Sequence, residues 1–156
     1  MPQTSLKDAV VIVTGGSVGY GYGIARVVRD RGARVWITAR HPERLQAAAE
    51  GLGVQAIAAD VTVPGDWDRL VETVLADAGR IDVLINNAGA GISKEPLVEL
   101  SDDDIAQCIA TNLTGAMYGC RRVAPLLQAQ GSGTIVNISS ICDQEAWPGW
   151  SVYGAS

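Results

Sequence analysis

The sequence predicts an α/β domain built on a doubly wound parallel sheet, and two observations carry that expectation. Short runs rich in β-branched residues recur at 10–14, 34–38, 54–58, 83–86 and 134–137, each apolar on both faces. Helical stretches near 24–31, 42–52, 67–78 and 104–130 separate them. Strands that are apolar on both faces need cover on both sides, and helices inserted between parallel strands provide it.

The first strand, Val10-Val11-Ile12-Val13-Thr14, runs into Gly15-Gly16-Ser17-Val18-Gly19-Tyr20-Gly21, a G-x-x-x-G-x-G pattern ahead of a helix expected from Ile24. Glycines let the backbone approach a pyrophosphate, and a helix start offers free N–H groups and a partial positive charge. A flexible strand-to-helix turn would look the same in isolation. Its place between the first strand and the first helix favours nucleotide binding by Gly15, Ser17, Gly19, Tyr20 and Gly21. The second strand ends in Thr38-Ala39-Arg40-His41, with no Asp or Glu to hold a ribose 2′-hydroxyl. An arginine there accommodates a 2′-phosphate, so Arg40 favours NADP(H) over NAD(H), although a surface arginine is also an ordinary solvated charge. His41, the only histidine, reads as an exposed loop residue.

The third strand leads to Asp60, an acceptor at a strand C-terminus, where α/β sheets bind ligands, and equally a turn or capping aspartate. The fourth leads to Asn86-Asn87-Ala88-Gly89, whose small residues permit close backbone approach. Ser101-Asp102-Asp103-Asp104 has the form of a capping box ahead of the apolar series Ile105, Ile109, Leu113, Met117. Pro125 is expected to bend or end that long helix. Beyond the fifth strand, residues 141–156 hold Pro148, two Gly and two Trp, a loop entering the first turn of another helix.

Composition bounds the rest. With 156 residues, 47% of them apolar, and no repeats, the chain supports one domain with a core and no second domain; a chain of this size buries about 70% of its unfolded surface. Net charge is −5 and the twelve Lys and Arg are scattered, so nucleic acid is not an expected partner. The three cysteines form no C-x-x-C pair and there is one histidine, which leaves no metal set and fits a reducing cytoplasm. The start, Met1-Pro2-Gln3-Thr4-Ser5, is polar, and the apolar run at 9–13 is too short for a signal-peptide core or a membrane span.

From about Lys7 to the last residue the chain resembles the short-chain dehydrogenase/reductase family. The likeness rests on five motifs in order: the glycine motif at 14–21, Asp60-Val61, Asn86-Asn87-Ala88-Gly89, Asn112, and Ser140 thirteen residues before Tyr153. The resemblance implies a Rossmann-type sheet, adenine bracketed by Asp60 and Val61, and the adenosine ribose lined by Asn87, Ala88 and Gly89. It implies that the Ser140 hydroxyl holds a carbonyl oxygen while Tyr153 donates or accepts the proton and hydride moves to or from a nicotinamide. It assigns Asn112 to a water relay toward a lysine, and a homo-oligomer to the long helix. Tyr20 stands where the family usually has Ile and Tyr22 follows, so unusual bulk is expected near the nicotinamide half. Trp147 and Trp150 read equally as a substrate wall or as packing or dimer residues.

The chain ends at Tyr153-Gly154-Ala155-Ser156, one residue short of the lysine in the family's Tyr-x-x-x-Lys pattern. That lysine lowers the tyrosine's pKa in the family, since opposite charge favours a phenolate. The expectation is therefore an N-terminal portion of an NADP(H)-dependent enzyme acting on a small carbonyl or alcohol, C-terminally truncated and inactive by itself. A non-catalytic nucleotide-binding or interaction module is the rival, followed by an enoyl-thioester reductase, for which Tyr22-Gly23-Ile24-Ala25 offers faint support.

Overall fold

The computed structural model describes residues 5–91, 94–145 and 147–156; Met1 to Thr4, Ile92, Ser93 and Ala146 lie outside the described residues, as does the side chain of Asp143. Five strands form one sheet: β1 (Val10–Thr14), β2 (Arg34–Ala39), β3 (Gln55–Ala58), β4 (Val83–Asn86) and β5 (Thr134–Asn137). All pairs are parallel and the order is β3-β2-β1-β4-β5. The strand order therefore reverses between β1 and β4, and a doubly wound sheet opens its ligand crevice at the C-terminal ends of such a pair.

Alternation along β1 shows how the core is divided. Val11 and Val13 face α1 (Gly19–Asp30) and α2 (Pro42–Leu52), packing with Ala25, Val28, Leu45 and Leu52. Val10 and Ile12 face α3 (Pro64–Ala78) and α5 (Gly115–Gln130), packing with Trp67, Leu70, Val74 and Val123. Successive residues of a strand point to opposite faces, so a strand buried on both faces has no polar position to spare. β5 differs: it closes the row at the edge, Ile135 packs inward, and Val136 stands 38% exposed.

Several elements depart from their sequence expectation. α1 begins at Gly19, not Ile24, because Tyr20, Gly21 and Tyr22 already lie in its first turn. α3 begins at Pro64, a residue whose fixed φ and missing N–H suit the first helical turn. The long helix is composite: α4 (Asp102–Ile109), a π-helical turn (Ala110–Thr114) and α5. Its start is capped as expected, with Ser101 Oγ accepting from Asp104 N at 3.1 Å. Pro125 does not end it, and α5 continues to Gln130 before Gly131 closes it at φ +70°.

α5 approaches α3 and the loop leaving β3 closely because two of its residues lack side chains. A Cβ on Gly119 would stand 2.5 Å from the Trp67 ring, and one on Gly115 would stand 2.9 Å from Val61. The Trp67 indole in turn donates to the Val61 carbonyl at 2.9 Å, which fixes the loop leaving β3. The final helix, α6 (Ser151–Gly154), is the single turn anticipated at the end of the chain. No helix among the described residues is long and apolar enough to cross a membrane.

Candidate functional site

The ends of β1 and β4 are tied at Thr14. Its hydroxyl oxygen, on a residue 1% exposed, accepts from Asn87 N at 3.0 Å and Ala88 N at 2.9 Å. The Asn87 side chain returns the link, its Nδ2 donating to the Thr14 carbonyl at 2.9 Å. This knot brings the glycine loop against the β4 exit. Gly15 sits at φ +66°, and a Cβ there would meet Ala88 Cα at 2.9 Å. A Cβ on Gly21 would collide with the Gly15 carbonyl oxygen and the Asn87 amide. At Gly15 and Gly21 the loop therefore has room for backbone only, and it leads directly into the N-terminal turn of α1.

A cleft of about 420 Å3 opens over this loop. Its walls include every residue assigned from sequence to cofactor binding: Gly15, Ser17, Gly19, Tyr20, Gly21, Arg40, Asp60, Val61, Asn87, Ala88 and Gly89. Arg44 and Thr111 line it as well and were not anticipated. Neither the Arg40 nor the Arg44 guanidinium has an ion-pair or hydrogen-bond partner among the described residues. His41 flanks them at the N-cap of α2. Asp60 uses Oδ1 locally, accepting from Thr62 N at 2.9 Å and Thr62 Oγ1 at 2.8 Å, so its turn role is real and its second oxygen remains for a ligand.

The Asp60 backbone is itself held. Its N–H donates to Asp66 Oδ2 at 2.7 Å, and Asp66 Oδ1 pairs with Arg69 at 2.7 Å. The Asp60 N–H, and then the Arg69 guanidinium, hold the Asp66 carboxyl below its ordinary range. Arg69 also reaches the Ala58 carbonyl at 3.0 Å, so one ion pair anchors both the end of β3 and the start of α3.

A second cleft, of about 670 Å3, adjoins the first and shares Tyr20, Asn87, Ala88 and Gly89 with it. Asn112, Ser140 and Tyr153, the three residues assigned from sequence to catalysis, all line it, together with Ile138, Ser139 and Ile141. Ser140 caps the short turn Ile141–Asp143, its Oγ accepting from Cys142 N at 3.3 Å, which leaves the hydroxyl proton to donate. The Tyr153 ring stands edge-on to Trp150 at 5.1 Å between centroids, and Lys94 Nζ lies 5.1 Å from the Trp150 ring on its own account. Trp150 is thus a packing residue for Tyr153, and Trp147 is 49% exposed outside both clefts.

Asn112 sits in the π-helical turn, a distortion that concentrates at functional sites. Its amide clasps one residue of the β4 exit from both sides: Oδ1 accepts from Ala90 N at 2.8 Å and Nδ2 donates to Ala90 O at 3.1 Å. Nδ2 also reaches Ser156 Oγ at 2.9 Å. Tyr22 does not crowd the glycine loop as expected; it packs among the core residues on the α1 side of the sheet. Tyr20 carries the anticipated bulk alone. Thr14 opens the glycine motif at 14–21, but the role of its hydroxyl is not legible there, because a threonine closing a β-branched run reads as one more strand residue.

The sequence profile of the short chain dehydrogenase family matches residues 9–156, and the chain belongs to that family. It is 36% identical over 154 residues to an uncharacterized oxidoreductase of Staphylococcus saprophyticus, covering 97% of this chain and 62% of that protein. It superimposes with a TM-score of 0.91 on the crystal structure of a metagenomic short-chain oxidoreductase in complex with NADP, at 35% identity, covering 97% of this chain and 71% of the other. Serine dehydrogenase complexed with NADP+ matches at a TM-score of 0.89 and 34% identity, over 94% and 60% of the two chains. The chain spans about three fifths of the length of the curated relatives it matches, with coverage of 62%, 61% and 63%.

Proposed function

We propose that this chain forms the cofactor site and part of the reaction site of an NADP(H)-dependent oxidoreductase that interconverts a carbonyl and an alcohol. The observation that carries the reading is the pair of joined clefts at the strand C-termini, one holding an Arg40 guanidinium with no partner among the described residues and the other holding Ser140 and Tyr153. The residues present fit a dinucleotide. The close packing of Gly15 and Gly21 against each other and the β4 exit sets the glycine loop at the start of α1, where a pyrophosphate would meet free N–H groups, and the guanidiniums of Arg40 and Arg44 suit a 2′-phosphate. Relatives bound to NADP or NADP+ support the same choice.

When bound, the nicotinamide supplies or takes the hydride. The chain's own residues handle the rest. Ser140, whose hydroxyl proton is free to donate, holds the carbonyl oxygen; Tyr153 gives that oxygen its proton in reduction and removes it in oxidation. Asn112 fixes Ala90 and so the floor of the second cleft. Asp60 and Val61 flank the adenine, while Asn87, Ala88 and Gly89 line its ribose. The composite helix of α4 and α5, with Leu113 and Met117 exposed along it, pairs with a second copy of the chain.

In the whole protein, Tyr153→Phe should abolish NADPH oxidation with ketones and aldehydes and leave the NADPH dissociation constant within about twofold, since one hydrogen-bond proton is lost and the ring stays. Ser140→Ala should cut turnover by about 10²-fold or more. Undiminished turnover in Tyr153→Phe would contradict the assigned chemistry.

A further inference from the structure

The two clefts meet at one aromatic side chain. Tyr20 lies in the first turn of α1, lines both clefts and is 86% exposed. Among the described residues no hydrogen bond or ring contact engages it. Asn87, Ala88 and Gly89 also line both clefts, and the Thr14 knot fixes the first two. A planar ligand passing from one cleft to the other would meet both this fixed backbone and an unengaged aromatic ring.

The proposed function puts the 2′-phosphate beside Arg40 in the first cleft and the carbonyl beside Ser140 and Tyr153 in the second. A dinucleotide spanning the two must then pass its nicotinamide end by Tyr20. We infer that Tyr20 stacks on the nicotinamide and discriminates between its redox forms, favouring the oxidised ring; this rests on the cofactor reading above. The face of a tyrosine ring carries partial negative charge, and the oxidised nicotinamide is a delocalised cation while the reduced one is neutral. Both forms gain from stacking, and the oxidised form alone gains the cation–π attraction. An aliphatic side chain in the same place would pack against both without telling them apart.

The test compares dissociation constants of NADP+, NADPH and 2′,5′-ADP, which has no nicotinamide, for wild type, Tyr20→Ile and Tyr20→Phe. Tyr20→Ile should weaken NADP+ by about two- to fivefold more than NADPH, the size of a solvent-exposed cation–π contact. It should leave 2′,5′-ADP unchanged, and Tyr20→Phe should retain the wild-type ratio. An unchanged NADP+ to NADPH ratio in Tyr20→Ile overturns the inference, as does equal weakening of 2′,5′-ADP, which would mean that the substitution merely disturbs the glycine loop. If the wild type binds 2′,5′-ADP, either result bears on Tyr20 alone; if it binds none of the three, the cofactor reading falls and this inference with it.

Discussion

One threonine oxygen holds the ligand crevice in shape. Thr14 Oγ1 takes two backbone N–H groups from the β4 exit. Thr14→Val keeps the shape and removes the acceptor, leaving the N–H groups of Asn87 and Ala88 unpaired at a part-buried position. The expected cost is about 1–3 kcal/mol of unfolding free energy, read from urea denaturation, with weaker NADPH binding alongside. Asp66 acts at the same scale. Because its folded pKa is depressed, its contribution is complete above the ordinary aspartate value of 3.8 and is lost as pH falls through the lower folded value. Asp66→Asn should therefore flatten the acid limb of the stability profile below about pH 4, and an identical acid limb in the two proteins would contradict this. The side chains at strand ends were legible from the sequence as candidates because the motif order names their positions. The tie made by the Thr14 hydroxyl and the place of Arg44 were not, since one looks like strand and the other like an ordinary first-turn helix charge until the chain is folded.

At the scale of elements, helix packing depends on α5 carrying glycine where it crosses Trp67. Gly119→Ala would press a methyl group against the Trp67 ring and Asn86 Oδ1, at 2.5 and 2.7 Å from an ideal Cβ. Overpacking of this kind costs about 1–3 kcal/mol, and denaturation of the variant should show it. The sequence placed all five strands to within a residue at either end, because both-face apolar runs are short and bounded. The α2 start at Pro42 was legible, whereas the starts of α1, α3 and α4 were read late. Glycines at 19, 21 and 23 look like breakers, yet all three lie inside α1: a Cβ on Gly21 would collide with the Gly15 carbonyl oxygen, Gly19 sits at φ +57°, and Gly23 faces open space. The π-helical turn at Ala110–Thr114 left no mark on the apolar spacing at all, since Ile105, Ile109, Leu113 and Met117 continue across it.

At the scale of the whole molecule, the open crevice and the exposed helix surface set two expectations. Light scattering at tens of micromolar should report a dimer or larger species, and a clean monomer would count against pairing through α4 and α5. The central claim is that the crevice takes NADP(H), with Arg40 reading the 2′-phosphate. The most direct measurement is a calorimetric titration of NADPH and NADH into wild type and Arg40→Ala. The account predicts a wild-type preference for NADPH of about tenfold or more, falling by most of that factor in Arg40→Ala, as expected for loss of a charge-assisted phosphate contact. Equal affinities for NADPH and NADH in the wild type, or an undiminished NADPH preference in Arg40→Ala, would contradict it.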